Sequence, residues 1–147
     1  MQFNLFKEDI PFTKWVSSCC DDYYDKRNIE AECYVDRGWC VTQHGGEVSP
    51  ANYMHSHANH PLVAVFYLNT IEEHPPIHVC DQVDGRFLVS KQEVIPDSDV
   101  VTLRFKTVKI PALVNTLVLF PGYCLHGVGA NTTNVPRVSI PMNIGIR

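Results

Sequence analysis

Short runs of Val, Ile, Phe, Tyr and Leu, cut by Gly, Pro, Asn and Asp, fill most of the chain after residue 30. They read ECYVDRGWCVTQH (32–44), HPLVAVFYLN (60–69), PIHVCDQ (76–82), GRFLVS (85–90), DVVTLRFKTVKI (99–110), NTLVLF (115–120) and PRVSIPMNIGI (136–146). Runs of this length and composition predict many short antiparallel strands. Before them the period changes. Phe12, Trp15, Val16, Cys19, Cys20, Tyr23 and Tyr24 fall at the three-and-four spacing of one helix face, so a helix is predicted from Phe12 to about Asn28, opened by Pro11 or Thr13. The pattern predicts a mainly β fold, a sandwich or small barrel, with a helical N-terminal cover. The ten prolines lie mostly at strand boundaries, where the missing N–H does no harm.

Composition narrows the class. A chain of 147 residues with 45% apolar and 19% charged residues fits one globular domain, 1–147, rather than disorder. The net charge of −4 and the lack of any basic run argue against a nucleic-acid or anionic-membrane surface. No apolar stretch is long enough to span a bilayer, and MQFNLFKEDIPF carries charges where an export signal needs an unbroken apolar run. The six cysteines form no CxxC pair, so they read as reduced, mostly buried thiols of a cytoplasmic protein. No glycine-rich loop leads into a helix, which leaves dinucleotide folds unsupported. Nothing here fixes the assembly state, and a homodimer is left open.

The candidate chemistry lies in HSHANH (55–60). On a strand, His55 and His57 point to the same face, and two imidazoles there can share one divalent transition metal at about 2 Å. His60 stands before Pro61 and reads as a turn residue. A third ligand must come from elsewhere: His126, in LFPGYCLHGVG (119–129), is the first choice, with His44, His74 and His78 behind it. The stretch ANTTN (130–134) reads as a hairpin turn, which would set Arg137 across from His126. In RVSIPMNIG, Arg137, Ser139, Pro141 and Asn143 then alternate with an apolar face. A buried arginine beside metal ligands suits a 2-oxo acid that chelates the metal at one end and offers a carboxylate at the other.

HSHANHPLVAVFYL (55–68) followed by LVLFPGYCLHGVGANTTNVPRVSIPMNI (117–144) resembles the small, prolyl-hydroxylase-like group of 2-oxoglutarate- and Fe(II)-dependent oxygenases. That group shows a histidine motif leading into a GVYYL-like strand, then an FP…H and an R-x-S…N pattern. Trp39 and HGGE (44–47) also fall where its members carry a tryptophan and a glycine turn, so the likeness covers roughly residues 38–147. It implies a double-stranded β-helix, or jelly-roll, fold. It also implies Fe(II) held by His55, His57 and His126, and the distal carboxylate of 2-oxoglutarate held by Arg137 with Ser139. The implied activity is a dioxygenase coupling decarboxylation of this small-molecule cosubstrate to oxidation, such as hydroxylation, of a substrate the sequence does not name. The wider superfamily carries an acid two residues after the first histidine, and here that position is His57. The centre would be all-histidine and one unit more positive, a charge the dianionic cosubstrate offsets; zinc or nickel would also suit it. Asn52, Tyr53 and Tyr67 read as structural residues near the pocket, and Asn143 as a candidate for its lining. Loops 70–76 and 80–100 would set specificity.

Three other readings compete. A metallo-β-lactamase-like site matches His55, His57 and His60, but Asn59 replaces its acid and the βα alternation is missing. A non-enzymatic β-sandwich leaves Arg137 beside His126 as coincidence. A cupin-like metalloenzyme without 2-oxoglutarate fits the histidines and gives Arg137 no role.

Overall fold

The computed structural model describes residues 10–46, 54–80 and 107–147. It opens with α1 (Pro11–Asp25), where Pro11 takes the first turn and has no N–H left unpaired. The helix stops three residues short of the predicted end. Asn28 turns into the left-handed region at φ 57°, and Ile29 N–H closes back on Tyr24 O at 3.1 Å. Val16 and Cys20 are fully buried, as the spacing requires, while Phe12, Tyr23 and Tyr24 pack at the margin. Trp15 departs from the predicted face: it is 44% exposed and meets Phe66 edge-on at the rim of the helix–sheet contact.

The strands described are β1 (Cys33–Gly38), β2 (Val41–Gln43), β3 (Leu62–Asn69), β4 (Ile77–Cys80), β5 (Thr107–Ile110), β6 (Leu117–Pro121), β7 (Leu125–Val128) and β8 (Arg137–Ile146). They form a five-stranded antiparallel sheet in the order β1-β8-β3-β6, with β2 also paired to β8, and a three-stranded sheet β5-β4-β7. Strand alternation divides the core in two. Leu62, Ala64, Met142 and Ile144 of the larger sheet face α1. Val63, Val65, Tyr67, Val118 and Phe120 face inward, toward Ile77, Val79 and Val128 of the smaller sheet. Leu62 and Ile144, both fully buried, each stabilise the helix-side layer by about 1.5–3 kcal/mol. Residues directly opposite share a face, so the pairings Tyr67–Ser139 and Val63–Asn143 aim Ser139 and Asn143 between the sheets.

Three sequence expectations change. The stretch ANTTN does not close a hairpin, because β7 and β8 lie in different sheets and Arg137 pairs with Gln43 rather than His126. Asn131 is the physical reason. Fully buried, it donates through Nδ2 to Gln43 O at 3.0 Å and Val135 O at 2.8 Å, and accepts from Thr133 N–H at 2.9 Å. The loop is thereby tied to the end of β2 and carried across to the other sheet. Pro141 sits inside a central strand, not at a boundary. Its backbone faces the break between β2 and β1, where its carbonyl accepts Trp39 N–H at 3.1 Å and no ladder bond needs a proline N–H. Finally, HSHANH is not a strand, as described below. GRFLVS, residues 99–106 of the next run, and Asn52, Tyr53 and most of 80–100 lie outside the described residues.

All six thiols are unbridged, with Cys20, Cys33, Cys80 and Cys124 buried, Cys19 half-buried and Cys40 exposed. Among the described residues, no helix is long and apolar enough to cross a membrane.

Candidate metal centre

His55 makes a single antiparallel bridge to His126: its N–H donates to His126 O at 3.0 Å and its carbonyl accepts His126 N–H at 2.8 Å. On its other side β7 pairs His126 with Val79, whose side chain lies in the inter-sheet core. Residues in such a row share a face, so His55 and His126 project inward together. His57 follows two residues later. Its N–H donates to Gly122 O at 2.7 Å, and its carbonyl accepts His60 N–H at 2.8 Å to close a turn. The face predicted for the HxH pair is therefore right, but it comes from one bridge and one anchored turn rather than from a strand.

The three imidazoles converge. Ring centroids lie 4.4 Å apart for His55–His126, 5.1 Å for His57–His126 and 5.2 Å for His55–His57. One nitrogen from each lies within 4.8 Å of the others, a spacing that lets one ion meet all three. Exposure falls from His55 through His57 to the buried His126, so the cluster opens to solvent on the His55 side.

Hydrogen bonds fix which nitrogen is offered. His126 Nδ1 lies 3.0 Å from Cys124 O, and a carbonyl only accepts, so Nδ1 carries the proton and Nε2 keeps its lone pair. His57 Nδ1 lies 2.7 Å from Asn143 Oδ1 in the same sense. Burial lowers the His126 pKa from 6.5 to about 4, against the opposing pull of the Cys124 carbonyl, and the neighbouring His55 and His57 push it the same way as burial. Burial likewise lowers His57, partly offset by Asn143. Both rings are thus neutral near pH 7, the state a metal requires.

The remaining histidines do other work. His74 is buried with both ring nitrogens engaged, Nδ1 accepting from Ile71 N–H and Nε2 donating to Val135 O. His60 faces Asp36 at 3.1 Å. His44 is exposed beyond β2. His78 pairs with Gly127 and Lys109 and alternates with the inward Ile77 and Val79, so it faces outward.

Arg137 and Ser139 begin β8 and are both buried, Arg137 at 2% exposure. The guanidinium carbon lies 5.1 Å from the Tyr67 ring centroid. Among the described residues no carboxylate pairs with Arg137, and its Nε and the Tyr67 hydroxyl are buried without a hydrogen-bond partner. Burial pushes Tyr67 up and Arg137 down from their ordinary values, each partly offset by the other. An Arg137 Nε left unsatisfied beside the Tyr67 hydroxyl in an interior is costly, and an anionic ligand would satisfy it. From the sequence Tyr67 reads as a structural residue. Its place in the alternation Val63, Val65, Tyr67 was the signal that its hydroxyl would enter the interior.

Two further residues shape the site. Trp39 stacks on His57, with rings 6.0 Å apart and 13° from parallel. Gly122 lies so close to the 57–60 turn that a Cβ would overlap His60 O and come within 2.8 Å of His57 O. Gly122→Ala is expected to displace this turn, weaken metal binding, and lower stability by roughly 1–3 kcal/mol. A metal titration beside a denaturant melt checks both effects; unchanged metal affinity would show that the turn can shift without moving His57.

The donor set fits a divalent transition ion, and the unsatisfied Arg137–Tyr67 pair fits a carboxylate. Comparison with known proteins agrees. The family described as "Putative 2OG-Fe(II) oxygenase" matches residues 37–143, well over half of the chain. No curated protein matches the chain in sequence. Among solved structures, the non-heme alpha ketoglutarate dependent carbocyclase SnoK from nogalamycin biosynthesis is 14% identical with a TM-score of 0.55, covering 75% of this chain and 48% of its own. AviO1 from Streptomyces viridochromogenes Tue57 is 12% identical with a TM-score of 0.61, covering 88% and 56%. The epimerase SnoN, solved with Fe3+, alpha ketoglutarate and nogalamycin RO, is 13% identical with a TM-score of 0.60, covering 88% and 54%. The chain spans about half the length of these structures, and the likeness is one of fold, the double-stranded β-helix. With the family matched across both halves of the site, the chain belongs to the 2-oxoglutarate- and Fe(II)-dependent oxygenases.

Proposed function

We propose that residues 1–147 act as one domain in which His55, His57 and His126 hold Fe(II), and Arg137, with Ser139 and Tyr67, binds the distal carboxylate of 2-oxoglutarate. The activity is oxidation, such as hydroxylation, of a substrate not yet identified. One observation carries this reading. A buried guanidinium with no carboxylate partner among the described residues shares one inter-sheet interior with three converging imidazoles. When bound, Fe(II) and 2-oxoglutarate supply the oxidising chemistry, in which O2 is consumed, the 2-oxo acid becomes succinate and CO2, and a substrate C–H bond is oxidised.

The chain's own residues do the orienting. Cys124 O and Asn143 Oδ1 hold protons on the Nδ1 atoms of His126 and His57, leaving Nε2 free on each. Arg137 offers a planar fork that suits a carboxylate, and Tyr67 adds a hydroxyl donor. Val63, Val65, Val79 and Phe120 keep the inter-sheet space apolar, which strengthens both interactions. The exposed His55 side is the route for substrate. Six unbridged thiols fit a reducing, cytoplasmic compartment.

The test is equilibrium binding without oxygen. The Fe(II)-loaded protein is expected to bind 2-oxoglutarate far more tightly than pyruvate, which keeps the chelating end and lacks the distal carboxylate. Equal binding of the two would remove Arg137 from the site and favour a cupin-like centre that does not use 2-oxoglutarate.

A further inference from the structure

His57 differs from the other two ligands in what holds it. His55 and His126 are locked by reciprocal backbone bonds, whereas His57 lies in a turn and belongs to no strand. The pleat of a sheet therefore does not aim its ring, and side chains must. Two do so: Trp39 stacks against the ring, and Asn143 meets Nδ1 at 2.7 Å. Asn143 is itself well placed for this. It is buried on the inward face of β8, opposite Val63, six residues along from Arg137. Trp39 is anchored to the same strand through its N–H to Pro141 O.

We infer that Asn143 is a positioning residue for the metal centre, its amide oxygen fixing His57 as the Nδ1–H tautomer and aiming Nε2 at the ion. The inference rests on the three-histidine centre proposed above. The side chain matters as an acceptor. A ligand histidine donates its second N–H to a carbonyl or carboxylate, and the acceptor sets both ring orientation and ligand basicity. Asn143 supplies this with a neutral amide, so it orients His57 without adding negative charge beside the centre. An aspartate at this position would be almost the same size, could only accept when ionised, and would make the imidazole a stronger donor.

The experiment is an anaerobic Co(II) titration of the full chain, read by affinity and by the visible ligand-field spectrum. It is run for wild type, Asn143→Ala and Asn143→Asp, with a thermal melt of each. We expect Asn143→Ala to lose about 10- to 100-fold in affinity and to shift the spectrum. Asn143→Asp is expected to bind at least as tightly as wild type, with a perturbed band, even though a buried carboxylate lowers its melting temperature. If Asn143→Ala binds like wild type with the same spectrum, the inference is wrong and the centre stands. If Asn143→Asp is as weak as Asn143→Ala, the loss reflects packing and the inference again fails. Should the alanine variant not fold, the aspartate variant decides alone: binding at least as tight as wild type with a shifted band supports the role, and weaker binding or an unshifted band overturns it. A wild-type chain that does not bind Co(II) would instead refute the centre itself.

Discussion

His126→Ala is expected to remove stoichiometric metal binding, lowering affinity by at least about 100-fold, since loss of a ligand exceeds the loss of its outer partner. The fold should survive. His126 is tied to His55 and Val79 through backbone atoms, and its ring packs on Phe120 at 4.7 Å, so alanine leaves a small void and no broken ladder. A second effect separates this variant from simple damage. In the metal-free wild type, His126 has a folded pKa of about 4 against an ordinary 6.5. Between these values the unfolded chain takes up a proton that the folded chain refuses, so stability rises with pH and falls as the solution is acidified through this window. His57, shifted down by burial, adds in the same direction. Denaturant melts of the metal-free proteins from pH 7 to pH 4 should show a shallower loss in His126→Ala than in wild type. An identical slope would mean that His126 is not held neutral by its surroundings.

Arg137→Leu should do the opposite to the two halves of the site. Metal binding stays, because no metal ligand is touched. Binding of 2-oxoglutarate weakens by about 100-fold or more, the scale of removing one partner from a buried charged contact. The ligand-free variant should be as stable as wild type or more so. Here an apolar side chain replaces a buried cation whose Nε has no partner, and such exchanges are often neutral or stabilising. Calorimetric titration of 2-oxoglutarate into the metal-loaded protein, beside a melt without ligand, measures both. A variant that melts early but still binds the cosubstrate would make Arg137 a structural residue.

The periods of the sequence made most of the fold legible. The alternation in LVAVFYLN and RVSIPMNIGI marked the two faces of β3 and β8, and the three-and-four spacing marked α1. That His55 and His57 would converge was legible for a related reason: two residues apart in extended chain means one face, with or without a ladder. What the sequence did not reveal depends on contacts far apart in the chain. Nothing local to ANTTN says that Asn131 will bond Gln43 O and carry the chain to the other sheet. Arg137 therefore belongs in the same interior as the histidines, but through its pairing with Gln43 and its contact with Tyr67, not by lying across from His126. The Asn143–His57 bond spans 86 residues. Nothing around Gly122 in the sequence says that the 57–60 turn will approach so closely that a side chain cannot sit there.

The central claim is that the histidine cluster and Arg137 form one site that consumes 2-oxoglutarate. The most direct measurement is release of labelled CO2 from 2-oxoglutarate labelled at C1, in air, with the purified chain. Release is expected with Fe(II), to be absent with Zn(II), and to be lost in both His126→Ala and Arg137→Leu. A wild-type protein that holds Fe(II) at the three histidines yet releases no CO2, with or without candidate substrates, would contradict the account.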